Sequence, residues 1–144
     1  MVVYLLEHST VVEKGVKSSF IIGVYSSKEI AKQKISKYKK IDGFKDFPDN
    51  FYITSFRVVS SKNNPSELDK PIFFLQHEYS IGDYDYITYI DMYFDYCKAL
   101  DRIEHLKKKR KYKKCTNGLY SPDGFVVDKY FLNQDNWEEG FTSN

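Results

Sequence analysis

Two cysteines, four prolines and one tryptophan are all that this 144-residue chain holds of those types. Cys97 and Cys115 cannot supply the staple network of a small secreted domain, and two thiols without a secretion signal fit a reducing compartment. The start, "MVVYLLEHST", has neither a basic n-region nor an apolar run long enough for a signal peptide. No stretch approaches the ~18 apolar residues of a membrane span. The expectation is a cytoplasmic chain with no membrane contact. Chemical motifs are missing as well: there is no Gly-rich phosphate loop, no H-E-x-x-H and no paired C-x-x-C. Charge of one sign is not in excess, and a net charge of +2 selects no particular partner.

Aromatic residues are abundant, with 13 Tyr and 11 Phe. That content excludes a disordered chain, and this length buries enough surface for a core without staples.

The chain also repeats itself, which bears on the architecture before anything else. Shifted by 69, "VVYLLEH" lies on "PIFFLQH", with Leu6 on Leu75 and His8 on His77. Shifted by 68, "IGVYSSKEIAKQKISKYK" lies on "IDMYFDYCKALDRIEHLK". Shifted by 74, "FPDNFYITSFRV" lies on "SPDGFVVDKYFL". Each copy reads strand, strand, helix, strand. The apolar runs rich in β-formers are the strands. Ala31, Ile35 and Tyr38 form one buried helix stripe and Ala99, Ile103 and Leu106 the other. Ser26 with Glu29 reads as a capping box for the first helix, and Asp95 as the N-cap of the second. A right-handed crossover sets the third strand beside the first, so the first strand is central, in the order 2-1-3. The expected fold class is α+β: two tandem ββαβ repeats, 1–60 and 72–144, joined by a linker over 61–71. They are expected to form a pseudo-twofold pair of antiparallel or mixed sheets with one helix each, packed as one globular unit.

The strings "VYLLEH", "IIGVYSS" before a Lys-rich helix, "GFKDFPDNF" and "DNWEEGF" resemble a family of small uncharacterised bacterial domains. Its members are one copy long, with the pattern V-Y-L-L-x-H, I-G-I-Y-S-S, G-F-x-D-x-P and W-x-E-G-F. The first copy matches the first three motifs. The second departs from them, with "IDMYFDY" for the Gly-Tyr-Ser-Ser pattern, yet it alone keeps the ending at Trp137 to Phe141. The resemblance implies no established activity. Some small bacterial domains of this general kind sit beside toxins as immunity proteins.

Candidate chemistry is sparse. His8 and His77 end equivalent strands and, with Glu78, offer metal-ligand types; packed and hydrogen-bonded strand-end histidines fit the same pattern, and His105 is expected to face solvent. Cys97 lies early in a helix, where the dipole favours thiolate, but nothing in sequence brings a base to it. Cys115 sits among lysines. The expectation is a non-enzymatic protein with no metal and no cofactor.

Two surfaces stand out instead. The stretch holding Asp83, Tyr84, Asp85, Tyr86, Tyr89 and Asp91 suits a protein partner, because Tyr gives large contact area at low entropic cost. It also fits an aromatic sheet core with aspartates in turns. The run Lys107, Lys108, Lys109, Arg110, Lys111, Lys113 and Lys114 coincides with six residues gained after the helix. It suits phosphates, with Tyr112 available to stack on a base, and equally a solvated helix end that opposes the dipole. Trp137 and Phe141 are expected to fold back and dock on a sheet. The function expected is a binding protein acting on a protein partner, as an immunity- or inhibitor-like protein would on a bacterial toxin or enzyme. Nucleic-acid binding through the basic run is the alternative, and a metal or enzymatic role for the histidines a further one.

Overall fold

The computed structural model describes residues 1–11, 17–59, 70–81, 84–113 and 123–137. They form a mixed α+β structure with six strands and two helices. The chain divides into two compact units, Val2–Phe56 with the segment from Phe131 onward, and Met1 with Arg57–Tyr130. Among the described residues, no helix is long and apolar enough to cross a membrane.

In the first unit, β1 (Val2–Val11) pairs antiparallel with β2 (Lys17–Tyr25). Beyond α1 (Lys28–Tyr38) and a 3-10 turn at Phe44–Asp46, the chain enters β3 (Phe51–Val59). β1 lies between β2 and β3, and the Ser9 N–H bonds the Asn50 carbonyl at 3.0 Å. Val3, Leu5 and Leu6 are all fully buried, so β1 is apolar on both faces, as a central strand must be. Ile22 is an extra residue opposite Leu6 and Glu7, a β-bulge that turns it into the core beneath α1. That core joins Leu6, Ile22 and Tyr25 to Ala31, Tyr38 and Phe44.

α1 starts one residue later than the capping box implied. Ser27 is the N-cap, accepting from the Ile30 N–H at 3.2 Å. Ser26 is engaged elsewhere: its N–H bonds the Asn133 side-chain oxygen and its hydroxyl accepts from the Asn133 amide.

Asn133 belongs to a strap, residues 131–137, that closes the outer edge of β2. The Asn133 and Asn136 N–H groups bond the Val24 and Ile22 carbonyls, each at 2.8 Å. Asp135 accepts from the Tyr25 hydroxyl at 2.7 Å and from Lys37 and Lys34 at 2.9 and 3.1 Å. Burial opposes its ionisation, but those three donors outweigh it and hold the carboxyl below its ordinary range. Trp137 packs edge-on against Phe20 and Phe44, and the Tyr38 hydroxyl donates to its carbonyl. The docked tryptophan expected from sequence is therefore present, and the sheet that receives it is the first unit's. Phe141 lies outside the described residues. Gly23 makes this closure feasible, because a Cβ there would stand 2.7 Å from the Gln134 carbonyl oxygen.

In the second unit, β4 (Ile72–Ile81) is central between β5 (Tyr84–Tyr93) and β6 (Phe125–Tyr130), antiparallel to both. Ile90 is the extra residue of a bulge opposite Leu75 and Gln76. α2 (Tyr96–Leu106) is capped by Asp95, whose carboxylate accepts from the Cys97 N–H at 2.8 Å. Its stripe, Ala99, Ile103 and Leu106, covers Leu75, Tyr93 and Phe125. The last residues of β3, Val58 and Val59, pair parallel with Met92 and Tyr93.

Candidate interaction surface

His8 and His77 end their strands, and each is enclosed within its own unit. The His8 ring lies 4.9 Å from Phe44 and 4.6 Å from Phe51, and its Nε2 donates to the Phe47 carbonyl at 2.9 Å. The His77 ring lies 5.1 Å from Tyr112 and 4.8 Å from Phe125. Glu78 follows His77 on an extended strand and points to the other face of β4, so the two cannot share an ion. Among the described residues, no group of three or more His, Cys, Asp or Glu could hold a metal. Cys97 and His105 are exposed; Cys115 lies outside the described residues.

Burial lowers the pKa of both buried imidazoles, against backbone hydrogen bonds that raise it. The unfolded chain therefore takes up these protons near pH 6.5, and the folded chain only at lower pH. Between the two values the unfolded state binds more protons, so stability rises with pH there. Urea midpoints should hold steady above pH ~6.5 and fall as the pH drops from there towards the folded values. In His77→Gln that fall should be smaller than in the unsubstituted chain.

The Asp/Tyr stretch does not form one surface, because alternation on β5 divides it. Tyr86 stands on the α2 side, stacked on its cross-strand partner Tyr79 at 5.0 Å and 13°. Asp85, Ile87 and Tyr89 stand on the other side. There the Ser80 hydroxyl donates to Asp85, and Tyr89 packs against Phe74 at 4.9 Å. The bulge at Ile90 resets the alternation, so Asp91 returns to the α2 side. It lies 3.9 Å from Arg102 and accepts from the Tyr93 hydroxyl at 3.2 Å. Burial, then the Asp91 charge, push that hydroxyl up to about 12. Asp83 and the side chain of Tyr84 lie outside the described residues.

On the side away from β4, the pairing of β5 with β3 covers Met92 and Tyr93. Tyr86 and Ile87 on this edge are 46% and 52% exposed. Glu78, Asp85 and Asp128 gather on the side of Ile87, and burial, then the charges of Asp128 and Asp85, raise the Glu78 pKa.

The basic run is ordered as far as Lys113. Lys107 is the C-cap of α2 and bonds Glu104 at 3.1 Å and Asp123 at 3.2 Å. Arg110–Tyr112 form a 3-10 turn. Tyr112 anchors it against His77 and Phe125, half-buried, with Lys111 Nζ 5.4 Å from its ring centroid. Lys108, Lys109, Arg110, Lys111 and Lys113 are exposed, with no acidic partner among the described residues. Lys114 lies outside them. Sequence reasoning missed Tyr79 as the partner of Tyr86; the register that joins them runs unbroken from Ile81 opposite Tyr84.

Residues 1–64, which span β1, β2, α1 and β3, match the family model described as "Domain of unknown function (DUF7336)". No curated protein and no solved structure matches the chain.

Proposed function

We propose that this is a non-enzymatic binding protein of two degenerate ββαβ copies, whose second copy takes up an extended, basic segment of a protein partner along the open edge of β5. Several paired features support the duplication. The bulge residues Ile22 and Ile90 occupy equivalent positions. Both central strands are flanked in the order 2-1-3. The bond from the Ser9 N–H to the Asn50 carbonyl has its counterpart from the Glu78 N–H to the Gly124 carbonyl. Each histidine meets one aromatic ring from the 3-10 turn and one from the third strand. In this alignment Tyr112 corresponds to Phe44, so the six extra residues follow the basic turn rather than coincide with it.

The observation that carries the binding reading is the difference between the two edges. A strap bonds β2, while on β5 the described residues pair with β3 at Met92 and Tyr93 and leave Tyr86 and Ile87 exposed. An open edge offers unpaired N–H and C=O groups to an added strand. Asp91 stands where the first copy has Gly23, so a strap like that on β2 has no room on β5. The acids Glu78, Asp85 and Asp128 complement a lysine- or arginine-bearing segment. A cytoplasmic immunity- or inhibitor-like protein that neutralises a bacterial toxin or enzyme fits this design.

The test is retention from nuclease-treated source lysate on the immobilised chain and on Ile87→Lys. Lysine at an exposed edge position opposes strand addition and repels a basic segment. One protein retained by the unsubstituted chain and lost from Ile87→Lys is the expected result. Equal retention by both overturns the proposal.

A further inference from the structure

We propose a second ligand for the second unit, at a site that shares Tyr86 with the β5 edge but is argued from other observations: the α2 side binds single-stranded nucleic acid, with phosphates on the turn around Arg110 and a base on Tyr86. The turn presents Lys108, Lys109, Arg110, Lys111 and Lys113 outward because Tyr112 is drawn inward against His77 and Phe125. Backbone bonds from Lys109 to Leu106, Tyr112 to Lys109 and Lys113 to Arg110 fix its shape. The main chain that carries the cations is thus shaped before a ligand arrives.

From this turn an aromatic row leads across the sheet. The Tyr112 ring lies 5.1 Å from His77, His77 lies 6.1 Å from Tyr79, and Tyr79 stacks on Tyr86 at 5.0 Å. Tyr79 holds the Tyr86 ring from one side. The other side of that ring points away from β4, and the residue is 46% exposed. A ring fixed from behind and open in front is a stacking platform, and every base has a face to set on it. Alternation places Glu78, Asp85 and Asp128 on the opposite side of the sheet; on the α2 side Asp91 faces Arg102 at 3.9 Å, and Lys107 neutralises Glu104 and Asp123 beside the turn. The face that carries the tyrosine pair and the cations is therefore the one a polyanion can approach. A duplex keeps its bases stacked on one another and cannot use Tyr86, so the ligand is single-stranded.

The probe is a fluorescein-labelled oligothymidylate of about 12 nucleotides, followed by anisotropy from roughly 50 to 200 mM salt. Five phosphate contacts predict a slope of log affinity on log salt of about −3.5. Arg110→Gln with Lys111→Gln should reduce that slope by about 1.4. Tyr86→Ala should weaken binding by roughly 5- to 100-fold with the slope unchanged, and Tyr86→Phe should restore it. Ile87→Lys should leave oligothymidylate binding intact, which separates this site from the protein-binding edge. Absence of binding at about 50 mM salt overturns the proposal. So does binding that ignores Tyr86→Ala and is matched by duplex of the same length, since that is attraction to any polyanion.

Discussion

Ending the chain at Tyr130 should leave the first unit unfolded or close to it, while the second unit keeps its protection. The strap that this truncation removes carries Trp137, worth about 2–3 kcal/mol for a partly buried ring against Phe20 and Phe44. Its two bonds to β2 contribute about 1 kcal/mol each. Loss of Asp135 leaves the buried Tyr25 hydroxyl without its acceptor, a cost of about 1–3 kcal/mol, and frees Lys34 and Lys37. These contributions total roughly 5–8 kcal/mol, comparable with the whole stability of a small domain. Hydrogen exchange read by mass spectrometry is the direct measurement. Amides of β1 and β2 should lose their slow exchange in the truncated chain, and those of β4 should retain it. Unchanged protection of β2 would show that the strap is not what holds the first unit together. Trp137→Ala should give a smaller version of the same change.

Gly124→Ala should destabilise the second unit by about 3 kcal/mol or more. Gly124 has φ +78°, a conformation that costs an L side chain about 1–2 kcal/mol. Sterics add to this, because a Cβ would lie 2.5 Å from the Glu78 carbonyl oxygen and 2.9 Å from Nε2 of His77. Neither neighbour can retreat cheaply. The Glu78 N–H is bonded to the Gly124 carbonyl at 2.8 Å, and the His77 ring is packed by Tyr112 and Phe125. The substitution should therefore prise the start of β6 from β4. Urea unfolding followed by exchange protection in Phe125–Tyr130 checks it, and a loss under about 1 kcal/mol would contradict the account. At Asn50 the first unit makes the matching bond without a positive φ, so Asn50→Ala should cost much less.

The elements were legible in the sequence because their physics is local. Ala31, Ile35 and Tyr38, and Ala99, Ile103 and Leu106, follow the helical period, and both stripes face the core. The β-rich runs gave the strands, and apolar residues on both faces marked β1 as central. What escaped depended on contacts distant in sequence. Ser26 looks like an N-cap until Asn133 claims it. Tyr112 looks like a free aromatic beside lysines until it packs on His77 and Phe125.

The division of the Asp/Tyr stretch was half legible. Strict alternation already separates Tyr86 from Asp85 and Ile87. The bulge at Ile90, which sends Asp91 to the side of α2, breaks that alternation and has no local signature. The strap's destination left a trace in Gly23 and its counterpart Asp91. That trace acquires meaning only when the Gln134 carbonyl is seen to pass 2.7 Å from where a Cβ would be.

The central claim is that one sheet edge is closed by the chain itself and the other is kept for a partner. Hydrogen exchange of the full chain, with and without the protein it retains from nuclease-treated lysate, tests this most directly. The account predicts that the partner slows exchange across Tyr84–Asp91 and leaves Lys17–Tyr25 unchanged. Slowing confined to β2, or to the turn at Arg110–Tyr112 with β5 unaffected, would contradict it.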